Sequence, residues 1–197
     1  GGWFDGDKVR FRNGLPEKIG GWTKYSDTQF QGTCRALHTW TALDNTNFIG
    51  IGTSQKYYLN AGGVYYDITP IRLTTSAGDV TFTATDGSST ITVTDTDHGA
   101  NINDFVTFSG ATAFHGSGAI TAAVINQEYQ VASVTASNTY TITAKDTSGS
   151  AVTANSNDAG SGKGGSSTVG TYQINVGLDD NSYGTGWGAG IFGGKSG

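Results

Sequence analysis

The chain has 197 residues and a formal net charge of −5, with 31 glycines and two prolines. No stretch approaches the roughly 18 consecutive apolar residues of a membrane-spanning helix. The single cysteine excludes an intrachain disulfide and a cysteine-rich zinc module, and we expect Cys34 to be a buried, unreactive thiol. The chain has no methionine and starts Gly1-Gly2-Trp3, which indicates a piece of a longer protein.

Charge is divided unevenly along the chain. Residues 1–72 carry eight Lys and Arg against six Asp and Glu, a balance of +2, whereas residues 73–197 carry three against ten, a balance of −7. A change of this size indicates two parts with different surfaces. Neither part is basic enough to bind nucleic-acid phosphates tightly.

The first 75 residues alternate aromatic or β-branched residues with turn signals, a pattern typical of antiparallel strands. Asn13-Gly14 predicts a turn after the first strand, and residues 44–47 predict a polar hairpin loop. The predicted strands cover residues 9–12, 36–40, 48–53, 55–59 and 64–68. Elements that repeat every 8–12 residues or so occur in antiparallel sheets, sandwiches and propeller blades.

Residues 76–170 are rich in Thr, Ser, Ala and Asp and contain no tryptophan. Threonine alternating with Ile, Val or Tyr predicts strands that bury one face of a sheet. The predicted strands cover residues 80–85, 90–94, 105–109, 128–134 and 139–143. Residues 119–126 predict a short helix, and residues 148–167 predict a loop.

The last segment, residues 171–197, has the same aromatic and glycine-rich composition as the first. Residues 172–176 predict a strand, and residues 183–194 mix aromatics with glycine. This shared composition predicts a host domain formed by residues 1–75 and 171–197, with residues 76–170 inserted into it. We therefore expect an all-β protein in which antiparallel hairpins of a propeller-like host domain carry a small inserted sandwich or barrel.

The sequence contains few candidates for metal-ligating or catalytic residues. Asp95, Asp97 and His98 are the candidates for a metal site, although a polar β-turn uses the same residue types. Their spacing does not match an EF-hand loop, because positions 6 and 12 counted from Asp95 are Ala100 and Val106. The sequence predicts no catalytic residues, no cofactor and no enzyme activity.

The aromatic residues allow three interpretations. They line a sugar-binding groove, fill a glycine-rich core, or form a subunit interface; we favour core plus interface. In the adjacent pairs Tyr57-Tyr58 and Tyr65-Tyr66 only one ring can face the core, and the other must be exposed or buried by a partner. The interface candidates are Trp3, Trp22, Tyr58, Tyr66 and Trp187.

Several runs of sequence resemble a family of bacteriophage virion proteins. They are residues 2–22, Gly52-Thr53, 57–59, 65–70, 172–178 and 186–190. The resemblance is to the tail nozzle, or packaged-DNA stabilisation, proteins of short-tailed phages. That family implies a β-propeller with inserted domains in a longer chain, and it brings no catalytic residues.

The resemblance implies a structural subunit of the virion, made in the host bacterial cytoplasm. We expect a homo-oligomeric ring in the tail or head-to-tail region that contacts other tail or portal-adapter proteins. Phage DNA would pass through without specific binding, and no membrane anchor is expected. A carbohydrate-binding receptor or adhesin module is the alternative function, and a hydrolase is a third.

Overall fold

The structure is a computed structural model that describes residues 9–21, 26–112, 119–156 and 164–176. Within these ranges the chain is all-β, which confirms the predicted fold class, and its strands pair antiparallel. The elements are β1 (Val9–Arg12), β2 (Leu15–Lys18), β3 (Cys34–Thr41), β4 (Asn47–Thr53), β5 (Tyr57–Ala61), β6 (Val64–Asp67), β7 (Ile71–Thr74), β8 (Thr81–Ala84), β9 (Thr90–Thr94), β10 (Phe105–Ser109), α1 (Ala122–Ile125), β11 (Glu128–Gln130), β12 (Ser133–Ala136), β13 (Thr139–Thr143) and β14 (Val169–Gln173). In the part of the chain that the structure describes, no helix has the length and apolar character needed to span a membrane.

The first strands form a hairpin and a meander. β1 and β2 pair as a two-stranded sheet whose turn, Asn13-Gly14, has positive φ at both residues, as the sequence predicts for a tight turn. β3 to β6 form a four-stranded sheet in which each strand pairs with the next along the chain. This order is the one found in a propeller blade. Because a propeller needs several blades, the propeller-like arrangement remains a prediction.

β3 is an edge strand of this meander, and all eight of its residues are exposed. Cys34 is therefore an exposed free thiol. The expectation of a buried thiol is wrong, because the apolar residues that follow Cys34 lie on a strand that is open to solvent on both faces.

The remaining strands form a two-layer sandwich. One sheet has the order β11-β10-β14-β7 and the other the order β12-β13-β9-β8. In β9 and β13 apolar residues are buried while threonines point outward, as the alternation predicts. Residues of both sheets share one buried cluster, and the rings of Phe82 and Phe108 meet across it with centroids 4.9 Å apart.

Several predicted elements differ in extent from the observed ones, and three of them show why. The strand at 128–134 is divided into β11 and β12 because the chain crosses from the sheet of β10 to the sheet of β13 at this point. The strand predicted at 172–176 is observed as β14, three residues earlier, where it pairs with β10 on one side and β7 on the other. The helix is a single turn, with the Thr121 side chain accepting the Val124 N–H at its start.

The strands at the two predicted domain boundaries are neighbours. β7, which ends at Thr74, pairs with β14, and Gly170 N–H donates to Thr75 Oγ1 across 3.0 Å. An insertion with adjacent ends would place its boundaries together in this way. The division into residues 1–75, 76–170 and 171–197 remains a prediction.

Candidate subunit interface

One face of the β3–β6 sheet carries aromatic and aliphatic side chains and no charged residue. Directly paired residues of antiparallel strands point to the same face, so the register assigns each residue to a face. We call this surface the aromatic face; it consists of Ala36, His38, Trp40, Phe48, Gly50, Gly52, Tyr57, Leu59, Ala61, Val64 and Tyr66.

Three rings on the aromatic face lie nearly parallel. The Trp40 ring centroid is 5.8 Å from that of His38 and 5.5 Å from that of Phe48, with interplanar angles of 24° and 20°. Gly50 gives the indole its space, because a Cβ at this position would lie 3.2 Å from Trp40 Cζ3. Glycine within a strand thus permits a close approach here.

The described residues leave much of the aromatic face open to solvent. Trp40 is 42% exposed, Tyr57 49%, Tyr66 51% and Val64 53%. Contiguous apolar patches of this kind mark interaction surfaces on soluble proteins.

The chain itself covers part of the opposite face of the same sheet. Ile51 and Tyr58 are buried, and the Phe30 ring lies 5.0 Å from Tyr58 and 4.9 Å from Tyr65, centroid to centroid. Gln31 N–H also donates to the Tyr58 hydroxyl across 3.0 Å. Both faces of the sheet therefore carry apolar side chains, and the described residues cover the opposite face at Ile51 and Tyr58 but leave Leu37 of β3 66% exposed.

The structure separates the predicted interface residues. Tyr66 is exposed on the aromatic face, whereas Tyr58 is buried on the opposite face and Tyr57 is the exposed member of that pair. Tyr58 was thus the wrong member of its pair to choose, because alternation along β5 turns it towards Phe30. The remaining interface candidates, Trp3, Trp22 and Trp187, lie outside the described residues.

The predicted metal candidates are held by other contacts. Asp95 is 3% exposed and its Oδ2 accepts a hydrogen bond from the Tyr172 hydroxyl across 2.6 Å. Asp97 is exposed, and its backbone N–H donates to Asn138 Oδ1.

His98 directly follows the turn after β9, and its side chain is buried in the sandwich. Its Nδ1 accepts a hydrogen bond from Ala100 N–H across 3.0 Å, so the ring proton lies on Nε2, which faces Ala136 O at 3.4 Å. Its ring packs edge-on against Tyr140. Among the described residues, no group of three or more His, Cys, Asp or Glu side chains is placed to hold a metal ion.

A buried lysine connects the meander to the sandwich, which no sequence signal indicated. Lys56, the residue directly before β5, is 3% exposed, and its Nζ lies 2.7 Å from Asp67 Oδ2 and 2.6 Å from Glu128 Oε2 in β11. The ammonium also lies 4.4 Å from the centroid of the Phe105 ring. Because 72 positions separate Lys56 from Glu128, spacing along the chain cannot reveal this pair.

The electrostatics of this cluster favour the ionised pair. Burial disfavours the charge on Lys56, but the hydrogen bonds and charges of Asp67 and Glu128 outweigh burial and raise the pKa of the lysine. Burial likewise opposes ionisation of Asp67, yet hydrogen bonds from Lys56 and Thr69 lower the pKa of that carboxyl. The cluster therefore fixes the meander against the sandwich with charges that satisfy one another.

Comparisons with known proteins give little guidance. No family model matches the sequence, and the search of curated proteins finds no match. Among solved structures, the chain is similar to the Phage phi92 endosialidase, with 18% identity and a TM-score of 0.32. The match covers 81% of this chain and 21% of that one, and a similarity this low carries no argument about function.

Proposed function

We propose that the chain is a structural component of a bacteriophage virion, in the tail or head-to-tail region. In this role it forms part of an oligomeric conduit for DNA and has no catalytic activity. The observation that carries the proposal is the aromatic face, an uncharged and largely open surface on a rigid antiparallel sheet. The subunit would be made in the host bacterial cytoplasm and assembled into the particle.

The composition of the aromatic face supports a contact between proteins. Interface centres are depleted in charge and enriched in aromatic residues, and the rings of Trp40, Tyr57 and Tyr66 fit that description. A sheet with apolar residues on both faces also suits stacking between neighbouring sheets, as in a propeller. We infer that a neighbouring subunit, or another tail or portal-adapter protein, covers this face.

The resemblance to phage tail nozzle proteins supports the location in the particle. The resembling runs at 57–59 and 65–70 fall mainly on β5 and β6, which form part of the aromatic face and its opposite side. The resemblance and the exposed surface therefore involve the same strands.

The charge of the chain supports passage of DNA without retention. The net charge is −5 and residues 73–197 contribute −7, so few cations are present to replace the counterions of DNA phosphates. We expect the purified protein to show no salt-sensitive retention of double-stranded DNA. Strong binding that weakens steeply with salt would contradict the conduit role.

Labelling of intact phage particles tests the location directly. Gold-conjugated antibodies raised against the purified chain should mark the tail or head-to-tail region in electron micrographs. Native mass spectrometry of the assembly isolated from particles should give a closed ring. Absence of the chain from purified particles would overturn the proposal.

The exposed rings also favour a second candidate, a carbohydrate-binding module. Trp40 and Tyr66 present aromatic surface beside polar groups on Tyr57 and His38, and sugar rings can stack on such surfaces. A glycan array separates the two functions. Selective glycan binding by a monomer would support the adhesin, and a ring without glycan binding would support the structural subunit.

A further inference from the structure

The outer edge of β3 is an unusually open strand edge. All eight residues of β3 are exposed, and no described strand pairs with the side of β3 that faces away from β4. Natural proteins usually protect such edges with short strands, prolines or charges. From Ala36 to Ala42 the chain contains no proline and no charged residue.

The hydrogen bonds of the adjoining turn show which backbone groups this edge offers. Ala42 N–H donates to Thr46 O and Ala42 O accepts from Asn45 N–H, so the polar groups of Ala42 point towards the β4 side. In an antiparallel strand these groups alternate between the two sides. The N–H and C=O groups of Leu37, Thr39 and Thr41 therefore point to the open edge.

We propose that β3 pairs antiparallel with β3 of a second copy of this chain, about a two-fold axis at Thr39. In this register Thr39 faces Thr39 of the second copy, and Leu37 faces Thr41. All three residues with outward backbone groups then form hydrogen-bonded pairs, and two four-stranded meanders become one eight-stranded sheet. Pairing of this kind is a known mode of association through an exposed sheet edge.

The side chains favour a second copy as the occupant of this edge. Two-fold pairing at Thr39 places His38 opposite Trp40 of the other copy, and aromatic pairs across strands are stabilising. Arg35 lies outside the paired stretch, so two chains that each carry −5 meet along a strand without like charges. The aromatic faces of the two copies lie on the same side of the joined sheet and become continuous.

The opposite edge of the sheet differs in ways that disfavour it as the pairing edge. β6 has four residues, half as many as β3, and Asp67 at its end is bonded to Lys56 and to Gln173 Nε2. Only β3 therefore combines length with an edge free of charge among the described edges of this sheet. The pairing is isologous and joins copies in twos, so it goes beyond the proposed function and does not depend on a phage location.

Site-specific crosslinking tests the register in the full 197-residue chain. In a Cys34→Ser background, Thr39→Cys should be joined to its copy by a short bis-maleimide, because directly paired Cα atoms lie about 5.5 Å apart. Val64→Cys is the matched control: Val64 is also exposed, but in the joined sheet the two copies of this residue lie roughly 34 Å apart, at seven strand spacings. Equal crosslinking of the two variants at dilute concentration would overturn the proposal.

A charge substitution gives an independent readout that needs no crosslinker. Thr39→Lys places like charges directly opposite each other, whereas Thr39→Val keeps a β-branched residue without charge. We expect dimers for the parent chain and for Thr39→Val in light-scattering measurements, and a dissociation constant raised by about tenfold or more for Thr39→Lys. A monomeric parent chain, or dimers that Thr39→Lys leaves unchanged, would show that the second copy does not bind here.

Discussion

The hydroxyl of Tyr172 in β14 donates a hydrogen bond to Asp95 Oδ2 at the end of β9, across 2.6 Å. The two residues are 0% and 3% exposed, so this bond joins the two layers of the sandwich inside its core. Tyr140 extends the chain of hydrogen bonds, with its hydroxyl 2.8 Å from that of Tyr172. Burial raises the pKa of both tyrosines, so both hydroxyls remain protonated at physiological pH.

Asp95→Asn should make folding stability less dependent on pH. Burial raises the pKa of the Asp95 carboxyl above 3.8, and the hydrogen bond from Tyr172 offsets this only in part. A carboxyl with a raised folded-state pKa contributes its full stability below the unfolded pKa and loses it as pH rises through the folded pKa. Because the amide oxygen of asparagine still accepts from Tyr172, the variant keeps the bond and avoids this loss.

Urea unfolding between about pH 4 and 7 measures the difference. The parent chain should lose stability relative to Asp95→Asn as pH rises, and the two should be similar at the acidic end. Tyr172→Phe is the matched variant: it leaves the buried carboxyl without its donor and should cost about 1–3 kcal/mol. A parent chain that gains stability over Asp95→Asn with rising pH would contradict this assignment.

Lys56→Met should loosen the meander from the sandwich. The substitution leaves the carboxylates of Asp67 and Glu128 close together without their cation. Since these side chains are 31% and 34% exposed, water offsets part of the loss, and we expect a cost of about 1–3 kcal/mol. Chemical denaturation and hydrogen exchange at β5 and β11 measure the global and the local effect.

Two further variants separate charge from packing at Lys56. The neutral triple variant Lys56→Met, Asp67→Asn, Glu128→Gln should recover much of the stability, because no unpaired charge remains. Lys145→Met removes another cation near an aromatic ring, 5.3 Å from the centroid of Tyr129, and should cost less than Lys56→Met. If the triple variant is no more stable than the single one, packing rather than charge explains the effect.

Trp40→Ser should weaken assembly and leave folding nearly intact. Trp40 is central to the three parallel rings of the aromatic face, and buried tryptophans at interfaces often contribute 2 kcal/mol or more to association. Leu43→Ser is the control, because Leu43 is fully exposed in the β3–β4 turn and outside the aromatic face. Sedimentation measures the assembly of each variant, and circular dichroism checks that the subunit is folded. If Trp40→Ser and Leu43→Ser assemble equally well, the aromatic face is not part of the interface.

The sequence predicts local elements well where one face of a strand is buried. Threonine alternation at 90–94 and 139–143 matches the bounds of β9 and β13, because each threonine faces outward and each Ile, Val or Tyr faces the core. The pattern did not reveal the change of sheet within 128–134, where the buried Tyr129 and Val131 are followed by the exposed Val134. Period-two patterns report burial along a strand and carry no information about its partner.

Contacts between distant segments could not be predicted from this sequence. The sequence indicates a polar β-turn around His98, but the burial of its side chain depends on packing against Tyr140, which lies far away along the chain. The choice between Tyr57 and Tyr58 depends on Phe30, which lies 28 positions from Tyr58. The aromatic content suggested an interface, but the register of four strands was needed to show which rings share a face.

Gly110→Ala should destabilise the sandwich through a steric clash. The matched variant Gly87→Ala separates this clash from backbone strain. Gly110 and Gly87 have φ values of +71° and +74°, so alanine meets the same backbone strain at both, about 1 kcal/mol. A Cβ at Gly110 would overlap the Ser167 carbonyl oxygen, whereas a Cβ at Gly87 has no neighbour within 4 Å among the described residues. We therefore expect Gly110→Ala to cost at least about 1–2 kcal/mol more than Gly87→Ala. Thermal unfolding of both variants measures this difference, and similar melting temperatures would show that the 164–168 segment moves away from Gly110 without cost.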